Sequence, residues 1–460
     1  MNIKNRKIVI LGLSRSGYAA SILAAKKKAN VFVTEVLNNR EMQSKAEALA
    51  KQGICVELGG HTENFLKDAD MFITSPGIKK SSWALIWAKK NKINVFSEIE
   101  FASWFCSAPI IAVTGSNGKT TVVTLLGEVF NAAGKNVVVC GNIGNPFSGE
   151  YRKFKNADVI VLEVSSFQLE FVKGFHPRVS IILNITQNHF DHHRDMREYV
   201  RAKANILKNQ LKTEVSILNF DNKRVLALSK DTKADICFLS MHRKNIKTYL
   251  NVASHGCFYD KAQAWIIKKG KEHRIFNRSD LKIRGNHNIE NAMAVFLAAM
   301  ALNVPEHTIT RALKNFKGLE HRCESLGCFK GIEFVNDSKS TTVDATCKAL
   351  SMFGDKSVVL ICGGRDKGSN FKAIRSKIKK KVALLICIGE AVSKISKALK
   401  GSTLIKKGED LQEAVDIARL NANKGDTVLL SPMCASFDMF ESFKQRGKVF
   451  KKIVRNIYKK

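Results

Sequence analysis

The segment Ile110-Ile-Ala-Val-Thr114-Gly115-Ser116-Asn117-Gly118-Lys119-Thr120-Thr121 restricts the fold more than any other stretch of the chain. Its β-branched and small apolar residues call for a buried strand, and two glycines follow where a tight turn needs them. A chain that leaves a strand through such a turn and enters a helix gathers several backbone N–H groups at one point, a cradle for phosphate oxygens. Lys119 would add a point charge on the terminal phosphates, and the Thr120 hydroxyl would be placed to ligate Mg2+. Gly115, Ser116, Asn117, Gly118, Lys119, Thr120 and Thr121 are therefore candidate nucleotide contacts. The eight-residue form of this loop begins with glycine, but Val113 stands there, so the loop is a shorter relative.

The same pattern recurs along the chain. β-branched runs precede glycine turns and amphipathic segments at Lys7–Leu11, Asn30–Thr34, Val137–Cys140, Val159–Glu163, Ser180–Asn184, Val358–Cys362, Ala383–Ile388 and Thr427–Leu430. Strands alternating with helix-length segments predict an α/β fold with mostly parallel sheets and helices on both faces. A strand–loop–helix unit restarts near Pro109 and again near Gly331. Three domains are expected: a Rossmann-like domain over 1–97, a central P-loop ATPase-like domain over 98–316 and a C-terminal Rossmann-like domain over 317–460. A length of 460 residues is enough for three cores.

Lys and Arg number 75 against 41 acidic residues, a net charge of +34. Such an excess attracts nucleic acid, anionic membrane or phosphorylated substrates. It runs through the whole chain instead of forming one stripe, which reads as a Lys-rich solvated surface, and no recognition helix or aromatic-basic interleaving points to nucleic acid. The 11 cysteines form no C-x-x-C pair, so neither a disulfide framework nor a zinc ribbon is expected, and reduced thiols in the cytosol are the simplest account. The apolar run after Lys7 is cut short by Arg15, unlike a signal peptide. The longest uncharged apolar stretch, the 15 residues between Glu290 and Glu306, is too short to span a bilayer, so no stable membrane insertion is expected. From Lys444 to Lys460 there are eight basic residues and no acidic one, with Phe443, Phe450, Ile453, Val454 and Ile457 near helical spacing. One face should dock and the other should be solvated, where it could also meet anionic lipid.

Three further segments carry chemistry. Gly12-Leu13-Ser14-Arg-Ser-Gly17 after the first strand suits a phosphate at a helix N-terminus, with Glu35 closing the next strand, but Ser14 replaces the middle glycine of a dinucleotide fingerprint. The Thr74-Ser75-Pro76-Gly77 turn is a similar case. Glu163 ends an apolar strand, the usual place for a carboxylate that holds Mg2+. After another strand, Asn184-Ile-Thr-Gln-Asn188-His189-Phe-Asp191-His192-His193 offers imidazole and carboxylate groups beside the same expected site. Zinc is a rival for clustered histidines, but no Cys or second His lies at closed-site spacing, and His192 and His193 read as surface residues.

Taken together, the motifs resemble the Mur ligase superfamily along nearly the whole chain. Thr114 to Thr121 resembles T-G-x-x-G-K-[ST], Gly141 to Gly144 resembles G-N-I-G, Val164 to Glu170 resembles S-S-F-Q-L, and Asn184 to His189 resembles N-I-T-x-x-H. Gly285 to Asn291 is similar to G-x-H-N-x-x-N, His321-Arg322 to H-R, and Asn336 to Thr341 to N-D-S-K-A-T. The segment Leu430 to Gly447 and the loop Gly363-Gly364-Arg-Asp366-Lys367 resemble the D-glutamate-adding branch, and the D-N-P-R motif of diaminopimelate-adding relatives is absent.

The resemblance implies an ATP-dependent amide-bond-forming ligase of peptidoglycan precursor synthesis, a cytoplasmic monomer that joins D-glutamate to UDP-N-acetylmuramoyl-L-alanine through an acyl phosphate. It implies catalytic Lys119, Glu163, His189 and Lys203. Two Mg2+ ions would be held by Thr120, Glu163, His189 and a Lys203 carbamylated by CO2, since Tyr199 to Lys203 resembles the family's Y-x-x-x-K. Asn291, Arg322, Asp337 and Lys339 would contact ATP. Leu13, Ser14, Glu35, Val36, Ser75, Asn142 and Gln168 would contact the UDP substrate, and Thr341, Lys367, Ser436 and Phe443 would contact D-glutamate, with the C-terminal module closing over the nucleotide. Rival readings are another Mur-type ligase, folylpolyglutamate synthase, an NAD-dependent oxidoreductase built on the N-terminal loop, and a nucleic-acid-binding ATPase.

Overall fold

Each β-branched run named above contains a strand in the computed structural model, the one expected over Ser180–Asn184 ending at Ile182; the structure describes residues 2–186, 192–245, 248, 255–268 and 270–458. The chain divides into two compact units, Met1–Lys282 with Asn286–Phe316, and Ile283–Gly285 with Lys317–Lys460.

The first unit holds two sheets. Strands β1 (Lys7–Leu11), β2 (Asn30–Glu35), β3 (Cys55–Leu58), β4 (Met71–Thr74) and β5 (Asn94–Ser97) form a sheet of order β3-β2-β1-β4-β5, parallel throughout. Its central strands are buried on both faces, as continuous aliphatic runs require. The order reverses between β1 and β4, so their C-terminal ends at Leu11 and Thr74 open the crevice where such sheets bind ligands.

The second sheet comprises β6 (Ile110–Thr114), β7 (Val137–Gly141), β8 (Val159–Glu163), β9 (Val179–Ile182), β10 (Val215–Asn219), β11 (Asp235–Ser240), β12 (His255–Asp260), β13 (Gln263–Lys268) and β14 (Lys271–Asn277). Among the described residues its order is β14-β13-β12-β11-β10-β9-β6-β8-β7, parallel from β7 to β12 and closed by an antiparallel meander. β6 lies between β8 and β9, with Val113 opposite Glu163 and Thr114 opposite Ile182. That register brings the phosphate-loop strand, the expected metal carboxylate and the Asn184 segment to one sheet edge. The helix Lys119–Ala132 packs on the helix Asn286–Ala301, which is apolar from Ala292 onward and carries Asn291 in its polar first turns.

The second unit is built on β15 (Glu324–Phe329), β16 (Ile332–Asn336), β17 (Val358–Gly363), β18 (Val382–Ile388), β19 (Leu404–Lys407) and β20 (Thr427–Leu430), in the order β15-β16-β20-β17-β18-β19. The strand expected to restart at Gly331 has an antiparallel partner before it: Lys330 and Gly331, both at positive φ, turn β15 into β16. The C-terminal helix Phe443–Tyr458 docks Phe450, Ile453 and Val454 and exposes Lys444, Lys448, Lys452 and Arg455. Arg446, one of the eight basic residues from Lys444 to Lys460, is 1% exposed.

Candidate active site

Hydrogen bonds to neighbouring segments hold the phosphate loop in place. Gly118 has φ +86° and caps the helix that begins at Lys119, and a Cβ there would stand 2.6 Å from Asn291 Oδ1. The Ser116 N–H donates to the Asn184 carbonyl at 2.8 Å, and the Asn117 N–H to Asn184 Oδ1 at 2.9 Å. Asn184 Nδ2 returns a bond to the Asn117 carbonyl, and Ser116 Oγ both donates to the Thr186 carbonyl and accepts from its N–H. Tyr199 OH lies 3.1 Å from Ser116 Oγ. Lys119 folds back over the loop, donating from Nζ to the Gly115 carbonyl at 2.8 Å. Thr120 and Thr121 occupy the first turn of the helix and remain half-buried.

Two groups beside the loop carry the electrostatics. Glu163 is 3% exposed; Oε1 accepts from Asn142 Nδ2 at 2.9 Å, while the buried Oε2 has no hydrogen-bond partner among the described residues. An orphaned carboxylate oxygen is costly inside a protein, and a divalent cation would satisfy it, so the site fits Mg2+. Lys203 is 1% exposed and donates to Thr114 Oγ1 and the Gly115 carbonyl, both at 3.2 Å. Burial, reinforced by the Lys119 charge and opposed by Glu163, holds its pKa well below the usual lysine value. Loop, Glu163, Asn142, Lys203 and Asn291 thus share one sheet edge. His189 lies outside the described residues.

The neighbouring histidines are not surface residues. His193 is buried, with Nε2 2.9 Å from Ser166 Oγ and Nδ1 3.3 Å from Glu170 Oε1. His192 Nε2 lies 3.1 Å from Glu170 Oε2. Lys80 completes the cluster, 3.3 Å from Glu170 and 2.9 Å from Glu198, whose pKa falls to about 2 through the Arg194 N–H and Lys80. The sequence hid this because its partner carboxylate lies more than twenty positions upstream. Glu198 stands in the first turn of the helix Met196–Ala204, which carries Lys203 and is capped by Asp195.

At the C-terminal ends of β1, β2 and β4, Leu13 and Ser14 follow the Gly12 turn, Glu35 ends β2 with Val36 after it, and Ser75 follows β4. Both Glu35 oxygens accept backbone N–H groups, from Leu13 at 2.8 Å and Leu37 at 3.0 Å. Ser75 Oγ donates to the Gly12 carbonyl. Ser14 caps the helix Arg15–Lys26 without a side-chain bond and is exposed, leaving that helix end accessible. Val36 is 57% exposed, an apolar surface at the crevice rim. Arg15 donates to the Gly144 carbonyl, joining this crevice to the Gly141–Gly144 segment. Gln168 is turned inward, its Oε1 accepting from Ser165 N and Oγ in a capping box.

In the second unit, Arg446 holds two loops together: its guanidinium donates to Ser338 Oγ and to the Ser338, Cys434 and Ala435 carbonyls. Arg365 and Ala435 exchange backbone bonds, which sets the Lys367 loop beside Ser436. The Lys367 ammonium lies 5.7 Å from the ring centre of the exposed Phe437, and Lys339 lies 4.7 Å over Phe443. Arg322 is exposed and Thr341 half-buried. Asp337 is buried, accepting from Ser431 Oγ at 2.8 Å and the Cys323 N–H at 3.2 Å, and burial raises its pKa to about 6. Sequence reasoning did not find Arg446, because a buried arginine and a solvated one look alike in a basic helix.

Family models match the chain in order: a Mur ligase MurD-like N-terminal domain over residues 6–97, a Mur ligase middle domain over 113–299 and a Mur ligase glutamate ligase domain over 321–434. UDP-N-acetylmuramoylalanine--D-glutamate ligase from Koribacter versatilis is 36% identical over 99% of both chains. The protein of the same name from Pelotomaculum thermopropionicum is 38% identical over 99% of this chain and 98% of its own. Among solved structures, a pseudomurein peptide ligase type C from Methanothermus fervidus aligns with a TM-score of 0.58 at 19% identity, covering 98% of this chain and 100% of that one. UDP-N-acetylmuramate-alanine ligase MurC from Thermotoga maritima aligns with a TM-score of 0.56 at 18% identity, covering 98% and 99%. The phosphate loop with its orphaned carboxylate and the full-length match agree: the chain belongs to the Mur ligase family and is an ATP-dependent ligase.

Proposed function

We propose that the protein adds D-glutamate to UDP-N-acetylmuramoyl-L-alanine. The observation that carries this reading is the convergence of the phosphate loop, Glu163 and Lys203 at one sheet edge, in a chain whose full-length relatives carry the name of that activity. We assign residues 1–97 to UDP-substrate binding, 98–316 to ATP binding and 317–460 to amino-acid binding.

A carboxylate cannot be displaced by an amine while its leaving group is oxide. The L-alanine carboxylate therefore attacks the γ-phosphorus of ATP, the bond to the β,γ-bridging oxygen breaks, and ADP and an acyl phosphate result. The D-glutamate amine, deprotonated, then adds to the acyl carbon, and the tetrahedral intermediate collapses with loss of inorganic phosphate. Two anions meet in the first step, so the protein's contribution is positioning and charge neutralisation. Loop N–H groups and Lys119 hold the phosphates. Thr120, Glu163, His189 and carbamylated Lys203 would hold Mg2+, which supplies charge neutralisation when bound. Lys203 supports this reading because it is buried beside Lys119 with two acceptors at 3.2 Å; a carbamate there replaces a buried cation with an anion. Leu13, Ser14, Glu35, Val36, Ser75, Asn142 and Gln168 serve the UDP substrate, the exposed Val36 offering a surface for a flat base. Asn291, Arg322, Asp337 and Lys339 serve ATP, and Thr341, Lys367, Ser436 and Phe443 serve D-glutamate. The enzyme works as a cytoplasmic monomer, where ATP is supplied.

The test is phosphate release from ATP and Mg2+ with UDP-N-acetylmuramoyl-L-alanine, adding D-glutamate, L-glutamate, L-alanine or diaminopimelate one at a time. Stoichiometric release with D-glutamate alone is expected. Release with another amino acid would overturn the assignment of the amino-acid site and leave the ligase chemistry standing.

A further inference from the structure

Two groups of described side chains bring three ligand atoms of metal-binding type within 4.8 Å of one another. In the first, Glu170 with His192 and His193, a cation is already present, since the Lys80 ammonium stands 3.3 Å from Glu170 Oε1. The second, Asp235, Cys237 and His255, differs in chemistry and place. Asp235 and Cys237 are two apart on β11 and therefore share a face of the sheet, and β12 begins with His255 directly opposite Cys237 in the parallel register. Cys257, two residues further along β12, is on that face too and fully buried. Asp235 is exposed, His255 half-buried and Cys237 buried, so the group runs from solvent inward and an ion can reach it.

We propose that Asp235, Cys237 and His255 form a metal site for a borderline-soft divalent ion, zinc being the ion that a thiolate, an imidazole and a carboxylate together suit. Ligand atoms about 2.0–2.3 Å from one tetrahedral zinc ion stand about 3.3–3.8 Å apart, so the three side chains, whose ligand atoms lie within 4.8 Å of one another, need only a small inward shift to close on the ion. The Cys237 thiol loses its proton to solvent on binding, one proton per ion, and water completes the tetrahedron. Because β9 to β12 run parallel to β6, this group lies at the N-terminal ends of the strands, while the phosphate loop, Glu163 and Asn184 lie at the C-terminal ends. The site is thus separate from the one expected to hold Mg2+. It ties the start of β12 to β11, staking the meander side of the sheet to the parallel part.

Full-length protein, stripped with a chelator and held in excess Mg2+ to occupy oxygen sites, is titrated with Co2+ as an optical stand-in for zinc. One equivalent is expected to bind with a near-ultraviolet thiolate-to-cobalt band that Zn2+ abolishes, and Zn2+ is expected to raise the melting temperature. Cys237→Ser, nearly isosteric, removes the band. Since outer partners of a metal site alone change affinity about 10–100-fold, His255→Ala is expected to weaken binding by at least about tenfold. Cys55→Ser, at an exposed cysteine on β3, keeps the band, and metal-free melting of each variant checks its fold. Absence of a bound equivalent, or a band unchanged by Cys237→Ser, would overturn the proposal.

Discussion

At position 118 the backbone turns at φ +86°, and Asn291 Oδ1 fills the space a side chain would need, 2.6 Å from where Cβ would stand. Gly118→Ala therefore meets left-handed strain of about 1–2 kcal/mol and must also displace Asn291 or the loop. A shift near 1 Å in a positioned site costs roughly 10²-fold in rate. Phosphate release by Gly118→Ala should fall by about that factor, with a thermal midpoint lowered by only a few degrees separating a misplaced loop from an unfolded protein. Lys203 allows a second check at this scale. Protein assayed in CO2-depleted buffer should lose activity and regain it with bicarbonate, and Lys203→Ala should stay inactive in both. Wild-type activity indifferent to bicarbonate would remove the carbamate from the mechanism.

The loops after β16 and β20 depend on one buried arginine. Arg446 donates to Ser338, Cys434 and Ala435 from the C-terminal helix, and burial lowers its pKa to about 10, so at neutral pH it remains a cation. Arg446→Met would leave several buried carbonyls unpaired, at a cost of about 1–3 kcal/mol for each group left unsatisfied. Lysine cannot reproduce the fork, so Arg446→Lys should recover little of the loss in urea titrations. Asp337, on the loop after β16, gives a pH signature. Its pKa is about 6 folded against 3.8 unfolded, so between those values the folded state holds the proton. The unfolded state then binds fewer protons, and the Asp337 contribution to stability falls as pH rises from about 4 to about 6, by about 1.4 kcal/mol per unit. Urea titrations across that range should show Asp337→Asn gaining on wild type as pH rises, and a constant difference would contradict the raised pKa.

For the whole molecule, the +34 charge matters most through the substrates. ATP, the UDP precursor and D-glutamate are all anions, and a strongly positive protein draws anions over the Debye length, about 10 Å at 0.1 M salt. Raising ionic strength from about 0.01 M to about 0.3 M should lower kcat/KM for the UDP substrate several-fold and leave kcat nearly unchanged; a matching fall in kcat would mean that salt acts on the assembled site. The sequence by itself determined the α/β class, the position of each strand that carries a site residue, the phosphate loop and Glu163 at a strand end, because aliphatic runs, glycine turns and a lysine after glycine act over a few neighbouring residues. Tertiary structure alone decided which distant groups meet. His192 and His193 look like surface residues until Glu170 and Lys80 close on them, Arg446 looks solvated until two loops wrap it, and Cys237 finds His255 only because β11 and β12 pair in parallel. Burial and cross-strand register depend on contacts far apart in the chain, and no local pattern of residue types encodes them.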